Sequence, residues 1–171
     1  MAAIRYHSEY VSFTGDQYRI EIWDSEHTGD STEFTSGSDG FSLRYEGEGS
    51  STESTVLATS CDIDFYIENA THEALITDIS ASEEGRFMVR ILWTASDLKF
   101  WHGMLLPDIG SYEEAYYPYI LKLKATDGIA SLKDVDYNNN GAEYNGKQTL
   151  LQHLLNCLTK LPYIDTFYGT G

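Results

Sequence analysis

Short segments in which apolar and polar residues alternate dominate the chain. In QYRIEIW (17–23), Tyr18, Ile20 and Ile22 share one side of the segment, and polar residues fill most of the other side. This period of two is typical of a strand with one buried face. Comparable runs occupy residues 4–13, 41–47, 55–68, 86–95, 98–106 and 119–126. Turns rich in Gly, Asp and Ser separate several of these runs, so the pattern predicts antiparallel hairpins.

One of these segments, RFMVRILWTA (86–95), is apolar on both sides. Val89 and Ile91 lie on one face, and Met88 and Leu92 lie on the other. Apolar residues on both faces indicate a central strand that is covered on each side. The alternating faces predict a core that includes Ile63, Phe65, Val89, Ile91, Leu121 and Leu123.

The pattern changes to a helical period in KQTLLQHLLNCLTKL (147–161). Leucines at 150, 151, 154, 155, 158 and 161 form one stripe, and Pro162 ends the helix. The predicted fold is therefore mainly β, a β-barrel or sandwich of antiparallel strands with one C-terminal amphipathic α-helix. We expect residues 1–126 to form the β-barrel or sandwich domain. Residues 127–171 are predicted to be a helical appendage packed on the same domain.

The net charge of −16 argues against nucleic acid as a partner, since phosphate binding requires a basic surface. The N-terminus lacks the apolar core of a signal peptide, and no apolar run is long enough to predict a membrane segment. Cys61 and Cys157 are the two cysteines of the chain, which suits a reducing compartment. Because both lie in strongly patterned segments, we expect two buried thiols rather than a redox pair.

Catalytic motifs are not apparent in the sequence. The five histidines occur singly, without the spacing of a zinc site. Asp62 and Asp64 share one side of a predicted strand, about 7 Å apart. Two such carboxylates without a nearby histidine are more often a solvated strand face than an acid–base pair. The sequence therefore predicts a protein that is not an enzyme and uses no cofactor.

The best candidate for a metal site is DYNNNGAEYNGK (136–147). Asp136, Asn138, Asn140 and Gly141 match the opening of a calcium loop. Its last position should be a bidentate glutamate and is Lys147 instead. The segment is therefore predicted to be an Asn- and Gly-rich turn without a metal.

The loop between Pro107 and Pro118 combines tyrosines with acidic residues. Tyrosine provides a large contact area at low entropic cost, and acidic neighbours favour a basic partner surface. We predict a protein interface formed by Tyr112, Glu113, Glu114, Tyr116 and Tyr117. A loop that packs on its own domain and covers one end of the barrel remains the alternative.

Several segments in order resemble a recurrent bacteriophage tail protein of phages and prophages of Bacteroidetes-type hosts. They are YRIEIWD, ATSCDIDFYIE, RFMVRILW, FWHGMLLPD, ATDGIASLKD and GKQTLLQHLL, within residues 17–161. More distantly, the series resembles tail hub proteins at the tail tip and baseplate, which build β-barrel domains and assemble as trimeric rings. Chains of this family usually continue well beyond the final helix, so functions of the longer proteins are not carried over.

The resemblance implies a structural subunit of a bacteriophage tail tip that assembles by protein–protein contacts into an oligomeric ring. Its partners would be other phage tail proteins and further copies of itself, with a trimer favoured. It would reside in the tail of the virion after assembly in the host cytoplasm. A carbohydrate- or receptor-binding β module on a virion or cell surface is the alternative, because exposed Trp and Tyr side chains can stack on sugars.

Overall fold

Strands account for most of the regular structure in a computed structural model, which describes residues 2–46, 58–109, 116–139 and 141–161. The elements are β1 (Ala3–Val11), β2 (Gln17–Asp24), β3 (Thr32–Glu33), β4 (Ser36–Glu46), β5 (Ala58–Ile67), α1 (Ala70–Ser80), β6 (Phe87–Trp93), β7 (Leu98–Leu105), β8 (Tyr119–Thr126), a 3-10 helix (Ile129–Asp134) and α2 (Leu150–Leu158). The mainly β class with a helix near the C-terminus is confirmed.

The described strands form one sheet in the order β3-β1-β2-β6-β7-β8-β5-β4. Its pairs are antiparallel apart from β1 with β3, which run parallel. The two end strands, β3 and β4, are separated along the chain by Phe34 and Thr35 alone. The Phe34 amide donates to the His7 carbonyl of β1 at 2.8 Å, and the Tyr66 amide of β5 donates to the Thr35 carbonyl at 2.9 Å. The sheet thus closes on itself as a barrel.

Inward-facing side chains from β1, β2, β5, β6, β7 and β8 fill the barrel. The six residues predicted to form the core are all 0 or 1% exposed. β6 lies between β2 and β7, as its two apolar faces predicted. Met88 on its outer face is buried with Met104 and Leu161, so the end of α2 and the residue Leu161 beyond it cover this part of the sheet.

Helix α1 is an element that the sequence analysis does not predict. It begins after Asn69, whose side chain accepts a hydrogen bond from the His72 amide at 3.0 Å. Leu75, Ile76 and Ile79 join the barrel core from this helix. Burying three aliphatic side chains stabilises the helix on the barrel more than its own propensity would.

A charged cluster centred on Asp24 ties α1 to the barrel. The buried Asp24 carboxylate accepts hydrogen bonds from Arg5 at 2.6 Å and from Arg86 at 3.1 Å. Arg5 also pairs with Asp78 of α1, and Tyr6 donates to Asp78 at 2.6 Å. Burial alone would raise the pKa of Asp24, but the hydrogen bonds from Arg86, the Glu26 amide and Arg5 lower it below its ordinary value.

The barrel backbone approaches Gly103 of β7 closely. A Cβ atom at this position would lie 2.3 Å from the carbonyl oxygen of Thr126 and 2.6 Å from the Trp101 ring. A glycine inside a strand commonly marks such a close approach of two backbones. Its lack of a side chain lets β7 and β8 pair beside the Trp101 indole, which donates to the Thr59 hydroxyl at 2.9 Å.

Candidate assembly surfaces

The predicted interface loop is described at its two ends. Tyr112, Glu113 and Glu114 lie outside the described residues. Tyr116 is 99% exposed, whereas Tyr117 stacks on Tyr119 with ring centroids 6.0 Å apart. A hydrogen bond with Glu73 of α1 raises the pKa of Tyr117. One tyrosine thus stands free and the other is anchored to the domain, and the interface role of this loop stays a prediction.

A second exposed apolar surface lies on α2. We define the leucine face as Leu150, Leu151, Leu154 and Leu155, which are 87, 64, 50 and 50% exposed. The helix itself is well built, because Thr149 and Gln152 form a reciprocal capping box at its start. Four leucines on a capped helix are the usual composition of a buried helical face, but here they are open to solvent.

The rest of the chain contacts α2 through its polar side and through its C-terminal end. The His153 ring is hydrogen bonded to Tyr137, and Asn156 donates to Gln148 at 3.0 Å. Cys157 and Lys160 line a small cavity beside Tyr137. At the end of the helix, Leu158 and Leu161 pack against Met88 and Met104. These contacts hold the helix in place through its polar side and its C-terminal end, and the leucine face on its first two turns stays exposed to solvent.

A third surface closes the end of the barrel where the β1–β2 and β6–β7 turns meet. We define the aromatic rim as Tyr10, Tyr18, Phe41, Trp93 and Phe100. Tyr18 is its centre, with ring centroids 5.2 Å from Phe41, 5.3 Å from Phe100 and 6.1 Å from Trp93. Most of these pairs are edge-to-face, which is the favoured geometry of aromatic clusters.

The aromatic rim is partly open to solvent. Trp93 and Phe100 are each 37% exposed, and Leu98, the cross-strand partner of Trp93, is 62% exposed. Phe13, on the β1–β2 turn at the same end, is fully exposed. The alternating pattern alone does not predict this cluster. The available signal was that several of its members stand at strand ends next to turns, where an inward-facing side chain reaches the mouth of a barrel.

The paired aspartates of β5 lie on the outer face of the sheet. Asp62 pairs with Arg44 at 2.8 Å, and Asp64 lies 3.7 Å from Lys122. Asp62 stands opposite Lys124 and Asp64 opposite Lys122 in the β5–β8 register. Each carboxylate therefore has a cationic neighbour, which is the arrangement of a stabilised strand face.

The calcium-like segment forms a tight turn in its described part. The Asn138 side chain accepts a hydrogen bond from the Gly141 amide at 3.0 Å, and Asn139 bridges to Ala142. Asn140 lies outside the described residues. Within the described ranges, no group of three or more His, Cys, Asp or Glu side chains is placed to hold a metal ion.

The two cysteines are both free, and they differ in environment. Cys61 is buried in the core, and burial raises the pKa of its thiol to about 12. Cys157 on α2 is partly exposed. The prediction of a buried thiol therefore holds for Cys61, and for Cys157 it is met in part.

None of the helices in the described part of the chain combines the length and apolarity needed to cross a membrane. Comparisons with known protein families, with curated proteins and with solved structures found no match.

Proposed function

We propose that this protein is a structural subunit of a bacteriophage tail tip, hub-like in kind, that assembles into an oligomeric ring. The ordered segments behind the resemblance support this proposal, because they fall on β2, β5, β6, β7, the end of β8 and the start of α2. Its partners are further copies of itself, with a trimer favoured, and other phage tail proteins. It is assembled in the host cytoplasm and resides in the virion tail.

The observation that carries this proposal is the solvent-exposed leucine face of α2. Burying one leucine side chain is worth about 1.5–3 kcal/mol. A capped helix that presents Leu150, Leu151, Leu154 and Leu155 to water forgoes that stabilisation in the monomer. Large exposed apolar patches mark protein–protein contacts, and an assembly subunit is the class of protein that needs them.

The acidic charge supports the same function. A net charge of −16 keeps free subunits apart through mutual repulsion. In a tail, acidic walls would also let DNA pass without binding it, because phosphate and carboxylate repel each other. Assembly then depends on apolar contacts that overcome the repulsion between subunits.

Light scattering coupled to size exclusion, followed by negative-stain microscopy, tests this proposal. We expect a defined oligomer with the shape of a ring. Leu154→Glu should reduce the mass to that of the monomer, since it places a charge in the leucine face. Ile120→Glu is the matched control, because Ile120 is an exposed aliphatic residue on β8, away from α2. A wild-type protein that stays monomeric at high micromolar concentration would overturn the proposal.

The aromatic rim favours a second candidate function, a carbohydrate- or receptor-binding module. Trp93 and Phe100 offer ring faces of the kind that stack on sugars. A glycan array separates the two functions. A monomer that binds one glycan class, and loses this binding in Trp93→Ala, supports the module, whereas a ring without glycan binding supports the tail subunit.

A further inference from the structure

We infer that the leucine face of one copy docks on the aromatic rim of the next copy, so that the subunits join head to tail. This inference rests on the proposed function and names the two surfaces and the occupant of each. It follows from the positions, sizes and charges of the two surfaces.

The helix that carries the leucine face and the aromatic rim are attached at different positions along the same strand. α2 is anchored through Leu158 and Leu161 to the outer face at Met88, near the start of β6. Trp93 of the aromatic rim is the last residue of β6. At about 3.3 Å per residue, these positions are roughly 16 Å apart. Both surfaces remain exposed in the monomer, so a second copy can occupy each of them.

The surfaces match in size. An α-helix of 9 residues, the length of α2, is about 13 Å long. The rim extends from Tyr10 to Tyr18 and on to Trp93 in ring-to-ring steps of 6.5 and 6.1 Å. Each surface exposes on the order of 400 Å² of largely apolar area, which is the size of patch that marks an interaction site on a monomer. Together they supply about half of the roughly 1,600 Å² that a standard interface buries, so the residues that flank both surfaces must supply the rest.

The surfaces also differ in charge. The stretch 147–161 contains Lys147 and Lys160 and no acidic residue, although the chain as a whole is strongly acidic. Within three chain positions of the rim residues lie the acidic Glu9, Asp16, Glu21, Asp39 and Asp97 and the basic Arg19, Arg44, Arg90 and Lys99. Docking α2 on the rim therefore brings its lysines to a surface with a small excess of acidic residues. Pairing α2 with a second α2 would bring lysine to lysine within a contact between two acidic molecules.

A contact between two different surfaces has a geometric consequence. Each copy uses one surface as donor and the other as acceptor, so the contact repeats until the rotation closes a ring. A contact between two leucine faces would be self-complementary and would stop at a dimer. A mixture of two variants, each damaged on one surface, therefore distinguishes a contact between the leucine face and the rim from a contact between two leucine faces.

The test uses two variants of the full chain, each damaged on one surface. The helix variant carries Leu151→Glu and Leu154→Glu. The rim variant carries Phe13→Glu and Leu98→Glu, which change exposed side chains and leave the ring-to-ring contacts of the rim in place. Ile120→Glu is the control and should assemble as the wild type does. Thermal melting verifies folding, and Phe13→Ser with Leu98→Ser replaces the rim variant if that variant melts early.

The expected result is that each variant alone has the monomer mass and that an equal mixture has twice that mass. The mixture recovers one contact, because the intact leucine face of the rim variant binds the intact rim of the helix variant. Assembly of either variant alone, or a mixture that stays monomeric, would overturn the inference and leave the proposed function standing if the wild type forms a ring. A monomeric wild type would overturn both.

Discussion

Truncation of Phe65 to Ala tests the assignment of the barrel interior. Phe65 is 0% exposed on β5, between β4 and β8 in the sheet. Its ring lies 5.4 Å from that of Phe34, on the segment that closes the barrel. The substitution removes a core side chain of β5 and also its contact with Phe34, on the segment that closes the barrel. It therefore tests the face assignment of β5 and the barrel closure together.

The expected loss follows from the burial of the ring. Replacing a fully buried Phe with Ala costs about 3–5 kcal/mol, from lost transfer free energy and from the cavity that remains. A domain of this size has a free energy of unfolding of about 5–15 kcal/mol, so the loss is a large share of the total. It corresponds to a fall in the melting temperature of roughly 6–20 °C.

Urea unfolding followed by circular dichroism measures this loss. The midpoint should fall while the slope m stays unchanged, because the surface exposed on unfolding is nearly the same. Tyr45→Ala is the control: it removes an aromatic ring that is exposed on β4, and it should change the stability by less than about 0.5 kcal/mol. A loss below about 1 kcal/mol for Phe65→Ala would refute the assignment of this face to the core.

Four further predictions address other parts of the chain. Folding lowers the pKa of Asp24, so the ionised carboxylate stabilises the folded protein above about pH 3.9, and this stabilisation is lost as the pH falls further. In Asp24→Asn, the stability should therefore fall less steeply between pH 5 and pH 3. Gly103→Ala should destabilise the protein by about 1–3 kcal/mol in urea unfolding, since the added methyl overlaps a carbonyl oxygen. Changing Tyr116 and Tyr117 together to Ser should abolish oligomerisation without altering the melting temperature if the loop is an interface; early melting would instead favour a self-packed loop. Calcium and EDTA should leave the melting temperature unchanged, and a calcium-dependent rise of several degrees would show a site in 136–147.

The strands and their faces were predictable from the sequence because alternation is a local signal. The two-sided apolar pattern of 86–95 placed β6 in the middle of the sheet, where it lies. Helix α1 was harder to predict, although His72, Leu75, Ile76 and Ile79 follow a helical period after the cap at Asn69. The segment is short, and a short apolar run fits a strand as well as a helix.

The assembly surfaces depend on information that a local pattern does not carry. Helical spacing reveals the stripe of leucines on α2, but it does not tell which part of the stripe meets the barrel. Leu158 and Leu161 at its end pack on Met88 and Met104, and Tyr137 and Gln148 bind the polar side of the helix. The aromatic rim likewise requires the strand order, since its members come from five strands, β1, β2, β4, β6 and β7.

The way the barrel closes bears on how the protein acquires its structure during synthesis. β2 pairs with β6, which is distant along the chain. The ion pair between Arg19 and Asp97 likewise joins residues 78 positions apart. β5 pairs with β8, so this pairing forms only after β8, the last of the described strands, has been synthesised. Such long-range pairing makes folding slow, and nascent chains expose unpaired strands until residue 126 has emerged. The barrel is therefore an indivisible unit of folding, and a chain interrupted before β8 would be a substrate for chaperones and proteases.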